Sequence, residues 1–204
     1  MARTRSVDYD LNRDSIVRTA AALFAERGYP GTSMSDLARA CGISKPLLYH
    51  YVADKYRLLL EITEGHVQRL AAIVDAVETE HLPAEQRLRS LITRFMDEYA
   101  SARHDHGVLT QDVKFLEPRD RQRVLRKERT VVAAFAKTIA EARPALAGAA
   151  LDKPLTMLLF GMINWMFTWL KPGGSLSHDD MAPIVADLFL GGLGAVRAPP
   201  ATLR

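Results

Sequence analysis

The sequence predicts an all-α chain. Three observations carry that prediction. Apolar residues recur at three- and four-residue spacing, helix caps bound the segments, and no sustained period-2 run or hairpin dipeptide competes. At 204 residues the chain has room for a small domain followed by a larger one. Residues 1–53 read as a three-helix domain and residues 54–204 as a larger helical one.

Residues 1–11, with Arg3 and Arg5, read as a flexible basic arm able to reach a DNA minor groove, or as a disordered terminus. Asn12 to Arg27 is an amphipathic helix on Ile16, Ala20, Leu23 and Phe24, ended by Gly28. Ser33 and Asp36 make a capping-box-like start to a second helix, whose inner face is Met34, Leu37, Ala38 and Cys41. Gly42 then leaves that helix through a left-handed C′ position. Ser44 caps a third, short helix from Lys45 to Val52, with Pro46 in its first turn. Leu48 and Val52 face inward, which leaves Lys45, Tyr49, His50 and Tyr51 outside. Helix, glycine turn and short helix make a helix-turn-helix, whose second helix suits a DNA major groove. Lysine and aromatic hydroxyls suit phosphate oxygens and base edges. Plain αα corners share the same turn.

Asp54 caps a long helix running to about Glu80 on a seam of Leu59, Ile62, His66, Leu70, Ile73 and Val77. His66 reads as a hydrogen-bonded core residue or a ligand contact. Because this helix belongs to both halves, it is a candidate lever on the DNA-reading unit. Pro83 opens a helix on Leu88, Leu91, Ile92, Phe95, Tyr99 and Ala102, which breaks in a polar loop at residues 103–107. His104 and His106 in that loop lack the spacing and further ligands of a metal site. Val108 to Leu116 is a shorter helix. A basic run, Arg119 to Arg129, then continues helically to Ala142 over Val124, Val131, Val132, Phe135 and Ile139. That run reads as a solvated face, a DNA contact or a dock for an anionic ligand group.

Leu151 to Lys171 is apolar on every side, with Met157, Phe160, Met162, Ile163, Trp165, Met166, Phe167 and Trp169. Such a helix must be covered on every side, and a second subunit supplies the cover. Ser177 and Asp180 form another capping box. The last helix carries Met181, Ile184, Val185, Leu188, Phe189 and Leu193, with Gly191, Gly192 and Gly194 allowing close approach. The last two helices therefore read as a homodimer interface, and Ala198 onward as a frayed tail.

The net charge of +3 is concentrated: residues 1–57 hold nine Lys/Arg against six Asp/Glu, and the remainder eighteen of each. The excess lies where a phosphate-binding surface needs it. Cys41 is the single cysteine, which excludes a disulfide framework and a thiolate cluster and fits a small buried hydrophobe. The start, Met-Ala-Arg-Thr-Arg-Ser, has no apolar signal core, and the uncharged run Pro154 to Leu170 falls short of the roughly 18–20 residues a span needs. A cytoplasmic protein without membrane contact is expected. No Ser-His-Asp set, Gly-rich phosphate loop or metal spacing points to an enzyme, and no cofactor or metal is implied.

Two stretches resemble a known family. Ile16 to Arg27, then Gly28-Tyr-Pro-Gly-Thr-Ser-Met-Ser-Asp-Leu-Ala and Gly42-Ile-Ser-Lys-Pro-Leu-Leu-Tyr-His-Tyr-Val-Ala-Asp-Lys55, closely resemble the DNA-binding domain of TetR-family repressors. The resemblance implies a two-domain, all-helical homodimer that binds a palindromic operator and releases it when a small molecule enters the C-terminal domain. Carried over by position, Lys45, Pro46, Leu47, Tyr49, His50 and Tyr51 fall on the family's recognition helix. Thr32 and Ser33 fall at the start of its second helix, and Lys55 at a phosphate-contacting cap. Leu47 stands where a small polar residue is common, and suits a thymine methyl. Gly161 to Leu176 and Leu188-Phe-Leu-Gly-Gly-Leu resemble regulators that sense acyl-coenzyme A esters and control fatty-acid, sterol or aromatic-acid degradation. That likeness implies an apolar tunnel with Phe95, Tyr99, Asn164 and Trp165 as wall residues, Asn164 foremost because a buried amide wants a partner. The alternatives are a hydrophobic drug-like effector, or an architectural DNA-binding protein with no effector.

Overall fold

The computed structural model describes residues 7–146, 150–170 and 173–197, and among these residues no strand occurs. The helices are α1 (Val7–Gly31), α2 (Met34–Ala40), α3 (Lys45–Tyr51), α4 (Lys55–Thr79), α5 (Ala84–Ser101), α6 (Arg103–Asp112), α7 (Pro118–Ala142), α8 (Asp152–Trp169) and α9 (His178–Leu193). Single 3₁₀ turns follow α6 at Val113–Phe115 and α7 at Pro144–Leu146. No described helix is long and apolar enough to cross a membrane.

The chain packs as two compact units. One holds the described residues up to Gln68 together with Ala102–Leu125; the other holds Arg69–Ser101 and the described residues from Arg126 onward. α4 and α7 each start in the first unit and finish in the second. Each unit has its own core. In the first, Ile16, Phe24, Leu37, Leu48, Leu58, Leu59, Ile62 and Val108 close over one another. In the second, the rings of Phe95, Phe135 and Phe160 meet at centroid distances of 4.8 to 6.3 Å within a shell of Leu88, Ile92, Leu159 and Ile163, and α5 lies along α9.

Three helix boundaries follow from local chemistry. α1 is broken at Gly28, whose φ of 74° lies in the left-handed region, one turn from its end. Gly42 has a φ of 66°, and an added Cβ would meet nothing within 4 Å. The demand there is torsional, not spatial. Both capping boxes form, Ser33 with Asp36 on α2 and Ser177 with Asp180 on α9.

Two expectations are corrected. Residues 7–11 belong to α1 instead of a flexible arm, while Arg3 and Arg5 lie outside the described residues. Residues 103–107 are not a polar loop but the first half of α6. Gly107 and two histidines suggest a break; packing against α1 overrides them, burying Val108 completely and placing position 107 beside Ala25. His104 stays exposed, whereas His106 turns inward and its Nδ1 lies 3.3 Å from Nε2 of the fully buried His66. One ring donates and the other accepts.

Burial, reinforced by the neighbouring His66, pushes the His106 pKa down to about 3. Its folded form therefore stays neutral while the unfolded chain, near 6.5, protonates on acidification. Stability should fall as pH drops through the unfolded value, by about 2 kcal/mol between pH 7 and pH 5. Urea titrations at those two pH values should show the loss in the native chain and a flatter dependence in His106→Gln. Equal slopes in the two proteins would assign the effect elsewhere.

Candidate functional site

α3 is seven residues long and buries one of them, Leu48, completely. Ser44 opens it by accepting the Leu47 N–H at 3.3 Å, and the Val52 N–H closes it on the Leu48 carbonyl at 3.0 Å. Lys45, Pro46, Leu47, Tyr49 and His50 point outward, and Tyr51 is half-buried. Leu47 and Tyr49 are 42% and 47% exposed, large apolar surfaces that the single chain leaves uncovered. The structure thus gathers six of the expected DNA contacts on one short helix.

Ser33, Thr32 and Lys55 build the turn that leads into α2. The Asp36 N–H donates to Ser33 Oγ at 3.1 Å, and the Ser33 N–H returns to Asp36 Oδ2 at 3.1 Å. The Ser33 hydroxyl, with its backbone bond, holds the Asp36 carboxyl below the usual range. Thr32 is 1% exposed and donates its hydroxyl to the Gly28 carbonyl at 3.1 Å, so its side chain works inside the turn. Lys55 reaches back from the start of α4 and donates to the carbonyls of Tyr29 and Thr32 at 2.7 and 2.8 Å. Its ammonium also lies 4.2 Å from the Tyr29 ring centroid. Two of its three donors are therefore committed to the protein. Burial lowers the Lys55 pKa and the Asp112 charge works against that. Asp112, 5% exposed on α6, grips the same turn by accepting the Tyr29 N–H at 3.1 Å.

Sequence reasoning missed Tyr9, Asn12 and Asp112. Asn12 Nδ2 donates to the Tyr51 hydroxyl at 3.4 Å, and the Tyr9 and Tyr51 rings lie 4.8 Å apart. No local pattern marks these residues, because their partners lie about forty or more positions away.

The expected ligand-wall residues are dispersed. His66 belongs to the first unit, paired with His106. In the second, Phe95 is fully buried, and Tyr99 is 6% exposed with burial holding its phenol protonated. Asn164 Oδ1 is buried with no hydrogen-bond donor. Trp165, one residue on, is 67% exposed. A cavity of about 380 Å³ in this unit is lined by Ile139, Arg143, Leu146 and Leu155, and by none of the expected wall residues. No group of His, Cys, Asp and Glu among the described residues could hold a metal ion.

This arrangement has relatives. Residues 16–62 match the model of the bacterial regulatory proteins of the tetR family, and residues 81–193 match the tetracyclin repressor-like C-terminal domain. The chain belongs to the TetR family of transcriptional regulators. A TetR-family regulator from Bordetella parapertussis 12822 is 35% identical with a TM-score of 0.84, covering 92% of this chain and 98% of that one. The transcriptional repressor KstR2 of Rhodococcus jostii (strain RHA1) is 26% identical over 90% of this chain and 91% of its own. AibR, solved in complex with isovaleryl coenzyme A and operator DNA, shares the fold at 23% identity and a TM-score of 0.75, over 87% of this chain and 97% of that one. In this TetR-family chain α2 and α3 are the two helices of the helix-turn-helix.

Replacing Lys55 by Met should cost about 2 kcal/mol and lower the thermal midpoint by roughly 5 °C without DNA, since two carbonyls lose a charged donor. An unchanged midpoint by circular dichroism would show that Lys55 does not hold the turn.

Proposed function

We propose that this chain is a ligand-responsive repressor that binds a palindromic operator as a homodimer and is released by a small effector, an acyl-coenzyme A thioester. The observation that carries the reading is α3, with Lys45, Pro46, Leu47, Tyr49, His50 and Tyr51 presented together at the surface. Ser33 at the start of α2 and the third donor of Lys55 flank that helix and supply phosphate contacts; Thr32 supports them from inside the turn. In a homodimer two copies of α3 meet successive major grooves about 34–36 Å apart. Residues 1–53 supply this function and residues 54–204 the effector response and dimerisation.

The homodimer forms through α8 and α9. Leu158, Trp165 and Leu188 are 64%, 67% and 66% exposed in the single chain, and Met157, Trp169 and Ile184 about half. Six large apolar side chains left open on two adjacent helices are the kind of surface that a partner subunit covers. Trp165 belongs to that interface in this reading, and the effector sits on the inner side of α8, against Asn164, Phe95 and Tyr99. A buried amide oxygen without a donor costs about 1–3 kcal/mol, and a ligand hydrogen-bond donor offsets it. The resemblance of 161–176 to acyl-coenzyme A sensors, and the AibR ligand, support the thioester. α4 begins beside the DNA-reading helices and ends in the second unit, so a displacement at one end reaches the other through continuous backbone.

Two outcomes follow. Asn164→Leu should raise the thermal midpoint of the ligand-free protein, because an unsatisfied oxygen is removed, yet abolish the shift produced by acyl-coenzyme A esters in the native chain. A flat panel of esters, with coenzyme A and free acids as controls, would sink the thioester and turn attention to hydrophobic drug-like effectors. Trp165→Arg should yield folded monomers by light scattering, and dimers at unchanged size would place the interface elsewhere.

A further inference from the structure

The first turns of α1 lie against the last turn of α3. The Tyr9 ring stacks at a tilt on Tyr51, centroids 4.8 Å apart and planes at 33°. It also meets the His50 ring edge-on at 5.9 Å, and its hydroxyl points to the His50 carbonyl at 3.5 Å. His50 and Tyr51 are themselves edge to face at 5.5 Å. One turn further along α1, Asn12 Nδ2 donates to the Tyr51 hydroxyl at 3.4 Å. Three rings and an amide from two helices thus close around the C-terminal end of α3.

A two-turn helix needs such support. Hydrogen bonds within seven residues do not hold a helix in water, and the buried anchors of α3 are Leu48 and, just past its end, Val52. Both anchors lie on the inner side. The directions in which the outward His50 ring and the Tyr51 hydroxyl point are set by Tyr9 and Asn12.

We propose that Tyr9 and Asn12 are positioning residues for operator recognition, acting through Tyr51 and His50 without touching a base. The inference rests on the reading that α3 enters the DNA. Phosphate attraction, which depends on the number of cations engaged, is untouched by either residue. Their loss therefore costs specific binding and spares the sequence-independent part.

The test uses the full-length dimer and the duplex that the native protein retains most tightly from a random-sequence library, with anisotropy measured on that duplex and on a random one. Tyr9→Ala should bind the selected duplex roughly tenfold more weakly, the size expected from losing one aromatic pair in each subunit. Its salt slope and its affinity for the random duplex should stay unchanged, and Tyr9→Phe should retain native affinity. Tyr9→Ala and Tyr51→Ala should also be non-additive on the selected duplex. Native affinity in Tyr9→Ala, equal weakening on both duplexes, or additivity with Tyr51→Ala would each overturn the proposal. Loss of binding in Tyr9→Phe as severe as in Tyr9→Ala would also overturn it, by making the hydroxyl a direct DNA contact. Should Tyr9→Ala lose its thermal transition, Asn12→Ala carries the same comparison from the edge of the cluster. A native protein that selects no duplex would instead defeat the reading of α3.

Discussion

Seven residues cannot make a stable helix in water, and α3, the second helix of the helix-turn-helix, is seven residues long. Its geometry is therefore borrowed from its surroundings. Gly42 aims it, Ser44 starts it, Leu48 and Val52 pin its inner side, and α1 steadies its far end. The turn before α2 is held with similar economy. Lys55 from α4 and Asp112 from α6 converge on Tyr29, one on its carbonyl and the other on its N–H. The segment that carries Ser33 is thus tied to two helices from later in the chain. Any displacement of the start of α4 or the end of α6 has a direct route to the turn before α2 through two hydrogen bonds.

The second unit answers a different constraint. α8 and α9 carry large apolar side chains on their outward as well as their inward sides. The inward side packs around the rings of Phe95, Phe135 and Phe160. On α8, which also carries Phe160, Asn164 Oδ1 is a buried oxygen without a donor. Cores tolerate such an atom at a cost, and the cost is recovered when something donates to it.

The two units have separate cores but share two helices, α4 and α7, each of which crosses from one to the other. The His66 and His106 pair lies in the first unit, where α6 meets α4. Burial beside a second imidazole keeps the His106 ring neutral and makes that contact sensitive to acid, because a charge placed on His106 has little water to reach.

Local chemistry makes much of this fold legible in the sequence. The capping boxes at Ser33 and Ser177, the turn at Gly42 and the all-helical class depend on bonds spanning five residues or fewer, so residue order alone suffices to state them. The outward set on α3 follows from helical spacing around Leu48 and Val52. The continuation of α1 back to residue 7, the helix at 103–112, the partner of His66 and the destination of the Lys55 ammonium are not legible there. Each depends on a contact closed over twenty-three or more positions, for which sequence spacing carries no signal. Gly107 shows the difference most plainly: read locally it breaks a helix, and packed beside Ala25 it lies inside one. Bonding along the chain decided which elements form; burial between distant segments decided which side chains they bring together.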